Sequence, residues 1–210
     1  MELEQVGKAF RQNRYDVSIF ETKEEAAHYL DTQIDGVTVG MGDSLTLAEL
    51  GLCSLLSRHN TVYDVHAVDR ETIGFEKGNA AFLEVARQAL TADVFLLSVN
   101  GATETGLMVN VDGTGNRTAG SLFGHKKVYF VMGKNKLRPT LEEAVWRARN
   151  VAAPKNVIRH HYKCGCSLHG GNRCYDCGAP DRICNALVVY YKKMRNTHME
   201  IVLINEDLGY

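Results

Sequence analysis

Five of the six cysteines in this 210-residue chain lie close together, at Cys164, Cys166, Cys174, Cys177 and Cys184. Cys174 and Cys177 form a C-x2-C pair, the spacing at which two thiolates converge on one metal ion. Cys184 can add a third ligand and Cys166 a fourth, with Cys164 as the substitute for Cys166. Metal binding needs thiolate rather than thiol. The segment from 155 to 185 has suitable charge for that, with Lys155, Arg159, Lys163, Arg173 and Arg182 against Asp176 and Asp181. Spacing alone suits zinc and a [4Fe–4S] cluster equally. Zinc is favoured, because four thiolates closing one loop make a structural staple. His160, His161 and His169 are reserve ligands. A Cys174–Cys177 redox disulfide and inert thiols are the competing readings. Cys53 stands apart among leucines and reads as a buried core thiol.

Two glycine-rich stretches point to a different chemistry. Gly40-Met41-Gly42-Asp43-Ser44-Leu45-Thr46 reads as a strand end, a tight turn and a helix start with Ser44 as cap. Glycines admit close backbone approach there, which suits an anion beside Gly42, Asp43, Ser44 and Thr46. The second stretch runs from Asn100 to Arg117 and contains Asn110, Asp112, Gly113, Gly115 and Asn116. Its glycines can present amides to a phosphate or carboxylate, and Arg117 can grip the same group bidentately. Glu104 is the candidate catalytic base or nucleophile. Ordinary turn chemistry explains both stretches as well. His66, Asp69 and Arg70 after a strand, and Glu206 and Asp207 after the last, are lesser candidates.

Positioning these groups requires strands and helices in alternation. A helix is expected over residues 1–13 and a strand over 15–20. Thr22 with Glu25 three residues on forms a capping box before a helix carrying Ala26, Ala27, Leu30 and Ile34. Strands follow at Gly36–Gly40 and Thr61–Val65, with a helix between them starting near Ser44. The clearest helix covers 79–90. Asp93–Val99 and Leu107–Val111 read as a hairpin. Gly115–Phe123 is a short helix, Lys127–Met132 a strand, and Thr140 with Glu143 caps another helix. Ala186–Tyr191 and Met199–Ile204 close the chain. The pattern describes an α/β protein with a mixed sheet covered by helices, one domain over 1–210, with a cysteine-rich segment at 160–186.

Composition narrows the function. Hydrophobic residues make up 45% and charged residues 23%, as in globular proteins. The net charge of −1 carries no footprint for nucleic acid. No apolar run approaches the ~20 residues of a membrane span, and the charged start lacks a signal-peptide core. A cytoplasmic location with reduced thiols is therefore expected. An oligomer is compatible with all of this. A dinucleotide fingerprint and a G-x-S-x-G elbow are both missing, which disfavours a self-contained NAD-linked dehydrogenase and a serine hydrolase.

Several blocks in order along the chain resemble the lactate-utilisation (LUD) domain family in its short form. They are Gly42-Asp43-Ser44-Leu45-Thr46-Leu47 with Glu49 and Gly51, the run Val109 to Arg117, and Lys126-Lys127-Val128 through Gly133-Lys134-Asn135-Lys136. Arg149 to Pro154 also fits, as do Cys174-x-Asp176-Cys177 with Pro180, Arg182, Ile183 and Cys184, and Asn205 to Gly209. The resemblance implies a fold like that of sugar-phosphate isomerases and CoA transferases with a small cysteine-rich lobe. It also implies an association with lactate oxidation alongside iron–sulfur partner proteins. Its pocket would lie where the Gly42 turn meets the Asn100–Arg117 stretch, with Glu104 near the acidic groups of the fold relatives. Cys164-Gly165-Cys166 departs from the family by an extra cysteine. The expected function is a protein that binds a small anionic ligand and a metal. The alternative is an enzyme or enzyme subunit acting on a hydroxy acid, sugar phosphate or acyl-CoA.

Overall fold

A computed structural model describes residues 2–68 and 75–210. The expectations for Asp69 and Arg70 lie outside them. The chain opens with α1 (Leu3–Gln12), β1 (Asp16–Phe20), α2 (Lys23–Gln33) and β2 (Thr38–Met41). Next come α3 (Leu45–Glu49), α4 (Leu52–Leu56), β3 (Thr61–Asp64), α5 (Phe75–Ala89) and β4 (Val94–Leu97). The middle contains β5 (Gly101–Thr103), β6 (Met108–Asp112), α6 (Asn116–Leu122), β7 (Lys127–Gly133) and β8 (Leu137–Arg138). The chain ends with α7 (Leu141–Arg147), α8 (Ala153–Arg159), α9 (Gly165–Leu168), β9 (Ala186–Tyr190) and β10 (His198–Ile204). Both expected capping boxes form, at Thr22 with Glu25 and at Thr140 with Glu143.

Strands β1-β10-β7-β4-β2-β3, in that order, form one six-stranded sheet, and β8-β5-β6-β9 a second. Every pairing in the larger sheet is parallel. Side chains alternate between its two faces with period two. Phe95, Leu97, Val128, Phe130, Ile201 and Leu203 face α1, the end of α5 and the second sheet. Val94, Leu96, Tyr129, Val131, Val202 and Ile204 face α2, α3 and α4. Both faces being covered explains why these strands read as unbroken apolar runs.

Two expectations change. The anticipated single mixed sheet is a parallel sheet plus a smaller mixed one, in which β5 pairs antiparallel with β6 and parallel with β8. The anticipated hairpin of 93–99 with 107–111 does not form. β4 lies between β7 and β2 in the large sheet, and β6 pairs instead with β5 and β9. The four residues of β4 are all buried, which a two-faced central strand requires and a half-exposed hairpin strand does not.

The order of the large sheet fixes where a cleft can open. From β2 the chain first moves outward to β3, then returns across β2 to β4, and the later strands continue away on that side. The connections therefore diverge at the β2–β4 boundary. In open α/β sheets the crevice beyond the carboxyl ends of the strands at such a point is the usual ligand position.

Candidate functional site

The carboxyl ends of β2 and β4 lead into Gly42-Asp43-Ser44 and Ser98-Val99-Asn100. These residues border two adjoining cavities of ≈ 90 and ≈ 40 Å³, both lined by Asp43, Asn100, Arg117, Ala152 and Asn156. The larger is also bordered by Asp112, Gly113, Asn116, His160, Tyr162 and Ile183. The smaller adds Ser44, Thr46, Ser98, Lys136, Arg159 and Tyr210.

Arg117 occupies the centre of the cleft. Its Nη2 donates to Val111 O at 2.6 Å and to Asn100 Oδ1 at 3.0 Å, which fixes the guanidinium. Its stem lies against Gly42, where an added Cβ would meet Arg117 Cγ at 2.8 Å. That contact is what the glycine permits. Gly113 similarly leaves room for Ile183, whose Cα would lie 2.7 Å from a Cβ there. Asn110 is fully buried and does not line the cleft. Its Oδ1 accepts from Asn100 N at 3.0 Å, so it holds the crossover that carries Asn100.

Asp112 is committed to α6. One carboxylate oxygen accepts from Thr114 N at 3.1 Å and Gly115 N at 2.9 Å. The other accepts from Thr118 N at 2.9 Å and Thr118 Oγ1 at 3.1 Å. Gly115 precedes α6 in a left-handed conformation, φ 90°. Asp112 and Gly115 thus build the turn that points Asn116 and Arg117 at the cleft. Ser44 Oγ accepts from Leu47 N and caps α3. Thr46 Oγ1 donates to Leu208 O.

Asp43 is held in a cluster of cationic and imidazole groups. Arg159 Nη2 donates to both carboxylate oxygens at 2.9 Å, with His66 Nδ1 at 2.8 Å and His160 Nε2 at 3.0 Å. Burial favours the neutral acid, but the bonds from His160 and His66 and the charge of Arg159 together hold the carboxyl well below its usual range. Asp43 therefore positions Arg159 and His160 at the cleft. His160 also stacks on Tyr162, with ring centroids 5.3 Å apart. Sequence spacing predicts His160 as a reserve metal ligand, whereas the fold places it at the cleft.

Asn156, Arg159 and Lys136 border the cleft and were not among the expected site residues. Ala152, Asn156 and Arg159 share one helix face at i, i+4, i+7 spacing. A π-turn at Ala148–Ala152 joins α7 to α8 directly ahead of Pro154. Pro154 lacks the amide donor that an uninterrupted helix needs there. Lys136 is 3% exposed and sits in the turn after β7. Burial first, then the charges of Arg147 and Arg117, push its amine down to about 6.

Glu104 is not brought into the cleft. It is exposed in the turn joining β5 to β6, next to the Leu107 end of β6. Arg117 lies at the other end of β6, about 13 Å along the strand.

The five clustered cysteines border one small cavity of ≈ 20 Å³, together with Arg149, Tyr175, Asp176 and Arg182. Among the described residues, no group of three or more His, Cys, Asp or Glu side chains is arranged ready to hold a metal ion. The sulfurs nonetheless have polar partners. Cys174 Sγ accepts from Asp176 N at 3.3 Å and from Arg149 Nη2 at 3.6 Å. Amides of Ala179 and Gly165, with the charge of Arg182 adding to them, lower Cys177 below its ordinary value. Cys164 Sγ instead donates to Asp181 O at 3.0 Å, and burial pushes its thiol up to about 11. Cys53 packs beside the α2–α4 core but is half-buried rather than the fully buried thiol expected.

A larger hollow of ≈ 400 Å³ lies at the opposite end of the same strands, bordered by Thr38, His59, Asn60 and Asp93. There His59 sits between Asp31 and Asp35 at 2.8 and 2.9 Å. It lies at the amino ends of the strands, away from the point where their connections diverge. Among the described residues, no helix is long and apolar enough to cross a membrane.

The model of the LUD domain family matches residues 3–204. The chain is similar in fold to a solved DUF162 family protein from Deinococcus radiodurans, with a TM-score of 0.51 at 12% identity, covering 97% of this chain and 96% of that one. No curated protein matches it.

Proposed function

We propose that this chain, which belongs to the LUD domain family, binds a small carboxylate or phosphate in the cleft beyond β2 and β4. Membership supports a role associated with lactate utilisation. The observation that carries the ligand reading is Arg117, fixed by Val111 and Asn100 at the point where the strand connections diverge. A planar guanidinium held in place recognises a carboxylate or phosphate with little reorganisation. Asn100, Asn116 and Asn156 offer neutral donors, and Arg159 adds charge. Thermal denaturation with and without oxalate tests this. Oxalate should stabilise the wild-type protein and leave Arg117→Ala unmoved. Equal stabilisation of both removes the reading.

The same reading gives the cysteine segment a metal. Cys174, Cys177 and Cys184 would hold it with Cys166, and zinc would supply a structural staple. The N–H···S bonds at Cys174 and Cys177 support this, since they stabilise thiolates. Cys164 fits less well, being spent as a donor to Asp181 O. Elemental analysis and an absorption spectrum on protein purified without oxygen decide it. One zinc is expected. Iron with sulfide replaces zinc with a cluster, and metal-free protein removes the site.

A further inference from the structure

We propose that the two adjoining cavities of the cleft take one ligand, a monocarboxylic acid with an apolar tail, its carboxylate held in the smaller cavity by Arg117 and Ser98 and its tail lying in the larger against Ile183. The proposal rests on the anion reading of the cleft and adds to it the chemical class of the ligand.

Charge and size define the head group. Arg117, Arg159 and Lys136 are the cationic side chains bordering the smaller cavity. Two of them are already committed, Arg159 to Asp43 and Lys136 to Tyr210 O. Arg117 instead bonds neutral oxygens, Val111 O and Asn100 Oδ1, and has no aspartate or glutamate within ion-pair reach among the described residues. One such guanidinium matches one negative charge. By volume, ≈ 40 Å³ admits on the order of three water-sized atoms, the size of a carboxylate. A phosphoryl group is larger and brings most of a second charge.

Ser98 supplies an independent sign of the same group. It ends the run of β4 at the smaller cavity and is 4% exposed. Three buried side-chain polar atoms have no hydrogen-bond partner among the described residues: Tyr15 Oη, Ser98 Oγ and His125 Nε2. Tyr15 packs edge-on against Phe10 and His125 stacks on Phe95, both in the core. Ser98 is the one of the three that borders the cleft. Buried hydroxyls are normally bonded, because leaving one bare is costly. A carboxylate oxygen beside Arg117 is the acceptor it lacks, and the hydroxyl proton turns to meet it.

The larger cavity has a different wall. Phe82, Val111, Ala153, Tyr162 and Ile183 place apolar carbon there. Asp112 also borders it, but its carboxylate is bonded into the start of α6. The ≈ 90 Å³ admits on the order of six water-sized atoms, so a carboxylate alone leaves it unfilled. Ile183 comes from the cysteine segment, between Arg182 and Cys184, and borders the cysteine cavity as well. Gly113 admits it, since a Cβ there would also lie 3.2 Å from Ile183 Cβ. The cysteine segment thereby sets how long a tail the cleft accepts.

Displacement of oxalate by straight-chain acids, read by calorimetric titration, tests this on the full chain. Acetate, butyrate and hexanoate should all compete, with affinity rising about fourfold for each added methylene. Ser98→Ala should weaken acetate and hexanoate alike, by about tenfold or more. Ile183→Ala should shrink the gain from acetate to hexanoate by about threefold or more, a ratio that general loosening of the fold would not move. Equal affinity along the series overturns the tail. Methyl phosphate binding more tightly than acetate overturns the carboxylate head. Wild-type affinity in Ser98→Ala overturns the role of its hydroxyl. If the acids fail to displace oxalate while oxalate still binds, this proposal falls and the anion reading stands. If oxalate also fails to bind, both fall.

Discussion

Replacing Gly42 by alanine should weaken anion binding without touching any polar group. The added Cβ would lie 2.8 Å from Arg117 Cγ and 3.2 Å from Cδ. Both atoms belong to a flexible stem, so the side chain yields and the backbone stays. The guanidinium then leaves Val111 O and Asn100 Oδ1, which it now meets at 2.6 and 3.0 Å. Bonds from a charged donor contribute about 1.5–3 kcal/mol each. Arg117 is half-exposed and water replaces part of that, leaving a stability loss of about 1–3 kcal/mol. In a protein of this size that lowers Tm by about 2–12 °C. For a bound carboxylate, loss of one charged contact of about 1.5–3 kcal/mol reduces affinity roughly 10- to 150-fold. Calorimetric titration of oxalate into wild type, Gly42→Ala, Arg117→Ala and the double variant measures this. The double variant should bind no worse than Arg117→Ala, since both substitutions remove one interaction. Wild-type affinity in Gly42→Ala, or additive losses in the double variant, would refute the reasoning.

Asp112→Ala removes four accepted bonds from the start of α6 and should cost about 2 kcal/mol or more in denaturant unfolding. It should also loosen oxalate binding through Arg117. Glu104→Gln should leave oxalate affinity unchanged and stability within about 0.5 kcal/mol, as for other exposed positions; a large loss of affinity would return Glu104 to the site. His125 is buried, gives Nδ1 to Ala92 O at 2.7 Å and stacks on Phe95, and burial lowers it below its ordinary 6.5. The unfolded chain therefore takes up this proton first, and stability should fall as pH drops below about 6.5. His125→Phe should flatten that slope in urea titrations across this pH range; an unchanged slope assigns it to other groups.

Much of this site was legible in the sequence, and the residues explain which parts were not. The Gly42 turn and the Asp112–Arg117 run announced themselves through glycine, asparagine and arginine in local turn chemistry, and both border the cleft. The capping boxes were equally local and equally readable. Lys136 carried no such signal, because Lys134 and Lys136 differ only in which one the fold buries. Asn156 and Arg159 were hidden for a related reason. Their helix face is polar, so periodicity gave no sign that it packs over the strand ends. The hairpin expectation failed where information was present. The unbroken apolar run of β4, Val94 to Leu97, marks a strand buried on both faces, a signal that outranks hairpin spacing. For Glu104 the pattern supplied a carboxylate near glycines, but strand pairing sends it to the far end of β6.

Chemical-shift mapping of oxalate on isotope-labelled protein tests the cleft most directly. The expected result is a single saturable set of shifts at the side-chain amides of Asn100, Asn116 and Asn156 and at the Arg117 guanidinium. Shifts centred instead on Asn60, His59 and Asp93 at the amino ends of the strands, or no saturable shifts at all, would contradict it.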